Sequence, residues 1–434
     1  VSPTTDGGYT ASNSPAPGTI TCGSGGKFRF VGNTRNLTVT SNWGGAGLTA
    51  SASIEIALNA GQTGTFNTSF KANNITLVSG TINMLTNRLA GDNGVATGGG
   101  GDVTIKSGAT LISAASGSNG SAVIGRTTAQ LTGFGGTLTI EDGAFLRLSG
   151  TSPRIAMSTI INNGTVEYNR AGAQTLLDST NLGTKFLSYS KLFLSSTSAS
   201  SITKSLPSPS SGTNTITVSD TLRVTQSAAG QVALASPANT SLSYGGTCVL
   251  EYTGTNAQTV NSVSTEWPST VLSSVPHTVV INNSSGVTLG IATAHRRNVL
   301  STLILKNGLL QNSSRVRFYN GSSTSGTIIR SGGSLSSLPD SITSLTINYQ
   351  NTSSITTSNE FGVVGNTSLT PPVTLSTVNL VINNTAPVTL HANRQVNGSI
   401  NLVNGTLDIS TFTLTNRGTL SRTNGAITAT NGTV

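Results

Sequence analysis

The sequence predicts an all-β protein, a parallel β-helix (β-solenoid) with an irregular N-terminal cap and loops of variable length. Two observations predict this fold. Apolar and polar residues alternate along most of the 434-residue chain, and Asn-Gly pairs recur between the short alternating runs. A unit of short strand, tight corner and short strand cannot bury its apolar face alone, so it must stack on the next unit.

The closing segment has the most regular corners. Asn-Gly pairs begin at Asn397, Asn404, Asn424 and Asn431, with a spacing of 7 within each pair of sites (404 − 397, 431 − 424) and 27 between them (424 − 397). Asn and Gly tolerate positive φ, so each site marks a corner. We predict coils of roughly 20–27 residues stacked at the spacing of β-strands.

Composition separates this fold from its alternatives. The chain is 35% hydrophobic and only 9% charged, with 50 glycines. A disordered chain is also rich in Ser, Gly and Thr, but it lacks regular alternation of β-branched residues. A solenoid needs only a narrow core, so this apolar content is sufficient. No apolar run approaches the roughly 20 residues of a membrane span, which predicts no membrane insertion.

The chain order predicts two segments. Residues 1–35 contain three prolines and a Gly-rich run, which favours a cap, and the solenoid is expected over 36–434. Residues 195–211, rich in Ser and Thr with Pro207 and Pro209, are expected to leave the coil as an excursion loop. Alternation predicts strands at 75–78, 103–105, 138–140, 145–148 and 215–218.

Internal repeats support a solenoid. Glu167-Tyr168 recurs as Glu251-Tyr252, and Gln174 recurs as Gln258, all at an offset of 84 (251 − 167, 258 − 174). Ile-Asn-Asn occurs at 161–163, 281–283 and 382–384. Unequal spacing between repeats is typical of coils whose loops differ in length.

The two cysteines, Cys22 and Cys248, are separated in sequence by 226 (248 − 22). In a solenoid that separation corresponds to roughly 40–50 Å, far beyond the reach of a disulfide. Either both thiols are free and buried, or they pair between chains.

Charge gives little evidence of a partner. The chain has 23 Lys plus Arg against 14 Asp plus Glu, a net charge of +9, and the basic residues are scattered. Nucleic-acid-binding proteins cluster such residues with aromatics, so no nucleic-acid partner is expected. The scattered charges favour solvated faces, with mild attraction to an acidic polysaccharide or anionic surface as the alternative.

The sequence predicts no catalytic residue, no metal and no cofactor. A polysaccharide hydrolase needs converging carboxylates, whereas Glu141-Asp142 is the sole adjacent acidic pair and precedes Gly143, which is typical of a corner. His277, His295 and His391 have no metal-ligand spacing. Trp267, which precedes Pro268, either stacks on a sugar ring or plugs a corner.

A family resemblance adds to this interpretation. The run 250–252, 257–259, 266–268, 279–283 and 286–289, with the closing 403–407 and 412–415, resembles large secreted surface proteins exported by bacterial type IX secretion. The likeness covers roughly residues 160–434. It implies export, a β-helical passenger and adhesive or fibre-forming roles. Such proteins usually end in a separate sorting domain, so we expect that domain to have been cleaved or the chain to be part of a longer one.

The same resemblance implies O-glycosylation. In exported proteins of the bacteria that use type IX secretion, O-glycosylation acceptor sites have the pattern Asp, then Ser or Thr, then an apolar residue. By this resemblance the acceptors are Ser179, Thr221 and Ser341.

The leading functional hypothesis is a secreted, N-terminally processed structural protein outside a bacterial cell. Its copies are expected to stack head to tail into a fibre or sheath through an open edge formed by Thr430, Asn431, Gly432, Thr433 and Val434. The alternative is a surface adhesin stalk that binds glycans or a cell surface. An ice-binding solenoid is the third hypothesis, because the Thr-x-Thr pairs of this sequence are irregularly spaced. A polysaccharide-degrading enzyme is the last.

Overall fold

A computed structural model of the protein describes residues 27–32, 53–66, 70–72, 74–87, 89–91, 101–116, 123–125, 136–177, 188–208, 212–227, 231–261, 264–269, 275–291, 296–318, 325–339, 343–360 and 377–434. Within these ranges the chain is all-β, with one short 3-10 turn at Ser313–Arg315 and no α-helix. The all-β prediction is therefore confirmed. The chain divides into two compact units, one of residues 1–197, 202–219 and 235–241, the other of 198–201, 220–234 and 242–434.

The first seventeen strands lie in the first unit. They are β1 Lys27–Gly32, β2 Ser53–Leu58, β3 Thr63–Thr65, β4 Phe70–Ala72, β5 Asn74–Asn83, β6 Leu89–Gly91, β7 Val103–Ile105, β8 Ala109–Ser113, β9 Ile124–Gly125, β10 Thr137–Ile140, β11 Phe145–Leu148, β12 Ile155–Ala156, β13 Thr159–Asn162, β14 Thr165–Tyr168, β15 Gln174–Thr175, β16 Ser188–Ser196 and β17 Ile202–Ser205.

The next three strands have residues in both units, and the rest belong to the second. They are β18 Asn214–Gln226, β19 Val232–Ala235, β20 Thr240–Tyr244, β21 Val249–Gly254, β22 Gln258–Val260, β23 Thr278–Asn283, β24 Val287–Leu289, β25 Arg297–Val299, β26 Thr302–Asn307, β27 Leu309–Gln311, β28 Val316–Phe318, β29 Ser325–Arg330, β30 Ser334–Leu335, β31 Ser344–Tyr349, β32 Ile355–Thr356, β33 Thr377–Asn383, β34 Val388–Thr389, β35 Arg394–Val396, β36 Ile400–Asn404, β37 Thr406–Asp408, β38 Leu414–Asn416, β39 Leu420–Arg422 and β40 Ala426–Thr428.

In the first unit, strands that are distant in sequence pair in parallel. One ladder runs β1, β2, β5, β7, β10, β13, and a second runs β3, β5, β8, β11, β14, β16. A third, shorter ladder runs β4, β6, β9, β12. Successive turns of the chain thus add strands to the same ladders, which is a solenoid-like arrangement.

The second unit repeats this pattern. Its longest parallel ladder runs from the second half of β18 through β21, β23, β26, β29, β31, β33 and β36 to β39. Shorter parallel ladders join β22, β24, β27 and β30, and likewise β32, β34, β37 and β40. The antiparallel pairing of a two-sheet sandwich does not occur in any of these ladders.

The register explains the Asn-Gly spacing. At the end of the chain Ile400 pairs with Leu420 and Thr406 pairs with Ala426, so the chain advances by 20 in one coil (420 − 400, 426 − 406). The spacing of 27 is therefore one coil together with the spacing of 7 between successive corners. Asn404-Gly405 stacks on Asn424-Gly425, whereas Asn397-Gly398 stacks on Arg417-Gly418.

Alternate residues of the strands form the core. In β2 the buried residues are Ile54, Ile56 and Leu58, and the residues between them are half-buried. Burying each such side chain stabilises the fold by about 1.5–3 kcal/mol before conformational entropy is subtracted. Along the long ladder of the second unit, the inward column consists of Leu250, Val279, Leu303, Ile328, Ile347 and Leu380, each at most 1% exposed.

Two predicted segments contain strands where the structure describes them. β1 lies inside the 1–35 cap and pairs in parallel with β2, although residues 1–26 lie outside the described ranges. The expected loop 195–211 contains β17, which pairs with β15. Ile202 and Lys204 alternate inward there. The Ser- and Thr-rich composition concealed a strand because hydroxyl side chains surround its two inward residues.

The 84-residue repeat corresponds to a recurrent set of contacts. Glu167 pairs with Arg147 at 2.7 Å and Glu251 pairs with Arg223 at 2.8 Å, each arginine lying on the preceding strand of its ladder. The tyrosines that follow the two glutamates, at 168 and 252, are fully buried. The ion pairs are partly exposed, so each contributes at most about 1 kcal/mol.

Two of the three Ile-Asn-Asn copies mark a buried corner, whereas Asn163 of the first copy is exposed. Asn283 and Asn384 are 0% exposed, so their amide groups need partners within the protein. Their Nδ2 atoms donate to the carbonyls of Asn256 (2.8 Å) and Ser353 (3.1 Å). Each asparagine therefore bonds its own coil to the preceding one.

In the next coil a glycine with positive φ lies against each of these asparagines. A Cβ on Gly308 would lie 1.9 Å from Asn283 O, and one on Gly405 would lie 1.6 Å from Asn384 O. Real side chains do not approach a carbonyl oxygen so closely. The corner therefore needs glycine for both its conformation and its space.

This contact generates a prediction. Gly405→Ala is expected to destabilise the protein more than Gly61→Ala, because both residues have nearly equal φ (+79° and +77°) but Gly61 has open space around it. The extra loss should be roughly 1–3 kcal/mol, the cost of overpacking. Urea unfolding of both variants measures it. Equal losses would mean that the corner is not tightly stacked.

Candidate functional site

The outward face of the long ladder in the second unit carries a regular column of hydroxyl groups. Thr278, Thr302, Thr327 and Thr346 lie in register on β23, β26, β29 and β31, and we name them the threonine column. Adjacent strands are about 4.8 Å apart, so the column sets half-buried threonines at strand spacing. The next outward column, two positions along, is also uncharged and contains Val280, Ile304, Ile329 and Asn348.

The sequence spacing of the threonine column is irregular, with successive separations of 24, 25 and 19 (302 − 278, 327 − 302, 346 − 327). The loops absorb these differences, so irregular spacing does not exclude a regular face. However, the column beside it is mainly aliphatic rather than threonine. Paired threonine columns of the Thr-x-Thr kind are therefore not formed on these strands.

A shallow cavity of about 610 Å³ opens on this face. Among the residues that line it, His277 is the titratable one, and its Nδ1 lies 3.2 Å from the Thr278 hydroxyl. Hydroxyl groups both donate and accept hydrogen bonds, so the cavity suits an uncharged polar ligand. The other lining residues are mostly hydroxyl-bearing: Leu300, Ser301, Ser325, Gly326, Thr327, Ser344 and Thr346.

The floor of the cavity depends on Gly326. A Cβ at this position would lie 2.2 Å from Cδ1 of Phe318, whose ring is fully buried. Glycine therefore lets the backbone of β29 lie directly on the aromatic ring. This contact positions the backbone of the flanking residues Ser325 and Thr327.

Two buried carboxyl groups occupy the core of the second unit, each beside a tyrosine. The Glu266 carboxylate accepts the N–H of Leu234 at 3.1 Å and faces the Tyr252 hydroxyl at 3.4 Å. Burial raises the pKa of Glu266 to about 7, although the nearby Arg297 charge opposes the shift. At neutral pH this carboxyl is therefore divided between its two protonation states.

Glu360 shows the opposite balance. It pairs directly with Arg330 and accepts the Tyr349 hydroxyl at 2.7 Å. Burial pushes the pKa of Glu360 upward, but the Arg330 charge and the hydrogen bonds from Ser358 and Tyr349 outweigh it, so the pKa is lowered. Both glutamates are 0% exposed, so they tie the core together and have no contact with solvent.

The exposed acidic pair forms the corner that the sequence predicted. Gly143, which follows Glu141-Asp142, has φ +80° between β10 and β11. A hydrogen bond from Lys106 (3.0 Å) lowers the pKa of Glu141, and one from Lys191 (2.8 Å) lowers the pKa of Asp142. Both carboxylates are ionised at neutral pH. Glu141 links its coil to the preceding one, whereas Asp142 reaches Lys191 two strands further along the ladder.

The described histidines contact other protein groups. Both ring nitrogens of His391 have protein partners, the Thr357 hydroxyl at 2.9 Å and Arg394 Nη2 at 2.7 Å. His295 lies outside the described residues. Across the described ranges, no three His, Cys, Asp or Glu side chains converge.

Trp267 is not available for stacking on a sugar. It is 0% exposed, its Nε1 donates to Asn298 O at 3.0 Å, and its ring packs on Tyr252 with centroids 5.8 Å apart. The corner alternative is therefore the one that the structure shows. The sequence could not decide this because a Trp-Pro pair gives no direction for the ring.

Cys248 is fully buried, and burial raises the pKa of its thiol to about 12. This agrees with the free, buried alternative for that residue. Cys22 lies outside the described residues, so an inter-chain Cys22–Cys248 bond stays a prediction. Such a bond would first require Cys248 to become exposed.

Thr221 is the described member of the three predicted glycosylation acceptors. It is half-buried on β18, and its hydroxyl donates to Asp220 Oδ1 at 2.9 Å. Ser179 and Ser341 lie outside the described residues. Glycosylation stays a prediction at all three positions.

The predicted assembly edge, residues 430–434, is largely exposed. Thr433 forms a parallel bridge with Thr413, and its carbonyl accepts the N–H of Leu414 at 2.9 Å. Val434 is 65% exposed. Sequence reasoning missed the threonine column and the cavity, because register across coils cannot be read from sequence spacing.

Comparisons with known proteins give no relative. No family model, no curated protein and no solved structure matches the chain. In the described residues, no helix has the length and hydropathy to cross a membrane. Functional argument therefore rests on the geometry of this chain.

The buried Glu266 generates a pH prediction. Between the ordinary pKa of 4.5 and about 7, the folded state keeps a proton that the unfolded state releases. Stability should therefore fall as pH rises through this window, by up to about 1.4 kcal/mol per pH unit. Glu266→Gln should remove this slope. Urea unfolding at pH 5 to 8, followed by Trp267 fluorescence in a Trp43→Phe background, measures it.

Glu360→Gln is the matched control. Because the pKa of Glu360 is lowered, that carboxyl is largely ionised in both the folded and the unfolded state above pH 5, and the slope should persist in this variant. Parallel pH profiles for the parent and Glu266→Gln would contradict the assignment.

Proposed function

We propose that the protein is an extracellular structural protein, a parallel β-helix whose copies add head to tail into a fibre or sheath. The observation that carries the proposal is the state of β39, the last strand of the long ladder. Leu420 on this strand is 53% exposed, whereas its counterpart Ile400 on β36 is fully buried. An apolar side chain exposed in a core column accepts a further strand, whether that strand belongs to a longer form of this chain or to a second copy.

The free backbone groups of β39 are oriented so that a further strand could pair with it. Ile400 N donates to Thr419 O (2.8 Å) and Thr423 N donates to Leu402 O (2.9 Å). In a parallel ladder the backbone groups of alternate residues face alternate sides. The N–H groups at positions 420 and 422 therefore point away from β36, towards the side where a strand of a second copy would pair.

The interior suits a mechanical role. Buried glutamates, tyrosines and asparagine corners bond from coil to coil, and the carboxyl groups among them are closed to solvent. We also propose that the protein is not an enzyme. Its location outside a bacterial cell rests on the resemblance to exported surface proteins.

Leu420→Pro tests the assembly. Proline removes the outward N–H of residue 420 and the exposed apolar side chain, but it leaves the bonds between β36 and β39 intact. The parent protein should form filaments in negative-stain micrographs and sediment faster as concentration rises, whereas Leu420→Pro should remain monomeric with an unchanged circular dichroism spectrum.

Leu420→Thr is the matched control because it keeps the N–H and removes only the apolar side chain. It should assemble more weakly than the parent but more strongly than the proline variant. A parent protein that stays monomeric at high concentration would refute the proposal.

The cavity beside His277 favours a second candidate, an adhesin for neutral glycans. Its hydroxyl lining matches the alternating donors and acceptors of an uncharged sugar. In this candidate the cavity recognises the glycan in place of Trp267, because the ring of Trp267 is buried.

Thr327→Val tests the adhesin. The substitution removes one hydroxyl from the cavity and preserves the β-branched shape, so affinity for a neutral oligosaccharide identified on a glycan array should fall about tenfold. Thr302→Val is the control, since Thr302 belongs to the same column but does not line the cavity. Equal affinity in both variants, or no array binding, would exclude the cavity.

A further inference from the structure

A buried lysine lies against a buried glutamine in the first unit. Gln174 on β15 and Lys204 on β17 are in register, and they are 2% and 0% exposed. Lys204 Nζ lies 2.8 Å from Gln174 Oε1. The amine therefore contacts the oxygen of the glutamine amide directly.

The surrounding backbone fixes this amide in place. Nε2 of Gln174 donates both of its hydrogens, to the carbonyls of Leu148 and Gly150, each at 2.8 Å. Oε1 also accepts the N–H of Arg170 at 3.3 Å, and Lys204 Nζ donates to Arg170 O at 2.8 Å. An electrophile and an amine are thus held together with little freedom to rotate.

The repeat shows that the lysine is not required by the glutamine corner. Gln258, the equivalent of Gln174 at the 84-residue offset, is also buried and donates to Val232 O at 3.2 Å. Its register partner is Val287, and Gln258 Oε1 has no hydrogen-bond partner among the described residues. An apolar residue therefore suffices at the equivalent position, and Lys204 is a departure from the repeat.

Burial also favours the neutral, nucleophilic form of the Lys204 amine. It lowers the pKa of Lys204 to about 7, with the Arg170 charge acting in the same direction. A sizeable fraction of the side chain is then the neutral, nucleophilic amine at physiological pH.

We propose that Lys204 and Gln174 become joined by an amide bond that cross-links two coils. Nζ of the neutral lysine attacks the Gln174 carbonyl carbon, and the developing charge on Oε1 is stabilised by the Arg170 N–H. The bond to Nε2 then breaks, a proton passes from Nζ to Nε2, and ammonia leaves. One C–N bond forms and one breaks, so the step needs no oxidant and no cofactor.

The cross-link would connect residues that are 30 apart in sequence (204 − 174) and adjacent in space. It would resist separation of the coils when the non-covalent contacts are pulled apart. The inference rests on the geometry of the first unit alone, so it holds or fails independently of filament assembly.

Mass spectrometry of the purified full chain tests the proposal. The intact mass should be lower than the sequence mass by one ammonia. Trypsin should fail to cleave after Lys204, and the peptide 171–185 should be recovered joined to 192–223. Localisation is essential because the Asn-Gly sites, such as Asn424-Gly425, can also lose ammonia by cyclisation.

The variants make the assignment specific. Lys204→Met and Gln174→Leu should each abolish the joined peptide, whereas Gln258→Leu should retain it. In freshly refolded protein the joined peptide should form faster at pH 8 than at pH 6, because more of the amine is neutral. If the folded parent protein yields the free peptide 192–204 after prolonged incubation at pH 8, the proposal is wrong, whatever the variants do.

Discussion

The fold depends on the requirement that each corner of one coil be satisfied by the coil next to it. At Asn283 and Asn384 a buried amide bonds to a carbonyl of the preceding coil. The following coil then approaches so closely that only glycine fits over the asparagine carbonyl. A buried polar group without a partner costs about 1–3 kcal/mol, so a coil that lost this contact would destabilise both of its neighbours. The stability of each coil therefore depends on polar contacts with its neighbours as well as on apolar burial.

The same principle explains why a protein with few charges places several of them inside. Glu360 is neutralised by Arg330 and hydrogen-bonded by Tyr349, whereas Glu266 lacks an equally direct cation and so holds a proton up to about pH 7. Lys204 satisfies two neighbouring acceptors in a comparable way. Each cluster joins side chains from different coils. Buried charge in this protein therefore acts between coils, where a solvent-exposed pair contributes little.

Different parts of the outer surface suit the two functional hypotheses, glycan binding and assembly. The threonine column and the cavity beside it present hydroxyl and aliphatic groups without formal charge, which suits contact with neutral surfaces. The exposed strand β39 presents apolar and backbone groups, which suits contact with another strand. These features lie at different places on the second unit, so binding and assembly are separable properties that substitutions can address one at a time.

The all-β class and the solenoid-like pairing follow from the sequence, because alternation and Asn-Gly corners are local properties of the chain. The 84-residue repeat likewise located Glu167, Tyr168 and Gln174, which proved to be recurrent contact positions. The coil length followed only as a range of roughly 20–27 residues, since the spacing of 27 combines one coil of 20 with the separation of two corners. The sequence did not predict the strand at Ile202–Ser205, the burial of Trp267, the threonine column or the contact between Lys204 and Gln174. Those features depend on which residues of different coils meet, and loops of unequal length leave that register to the tertiary structure.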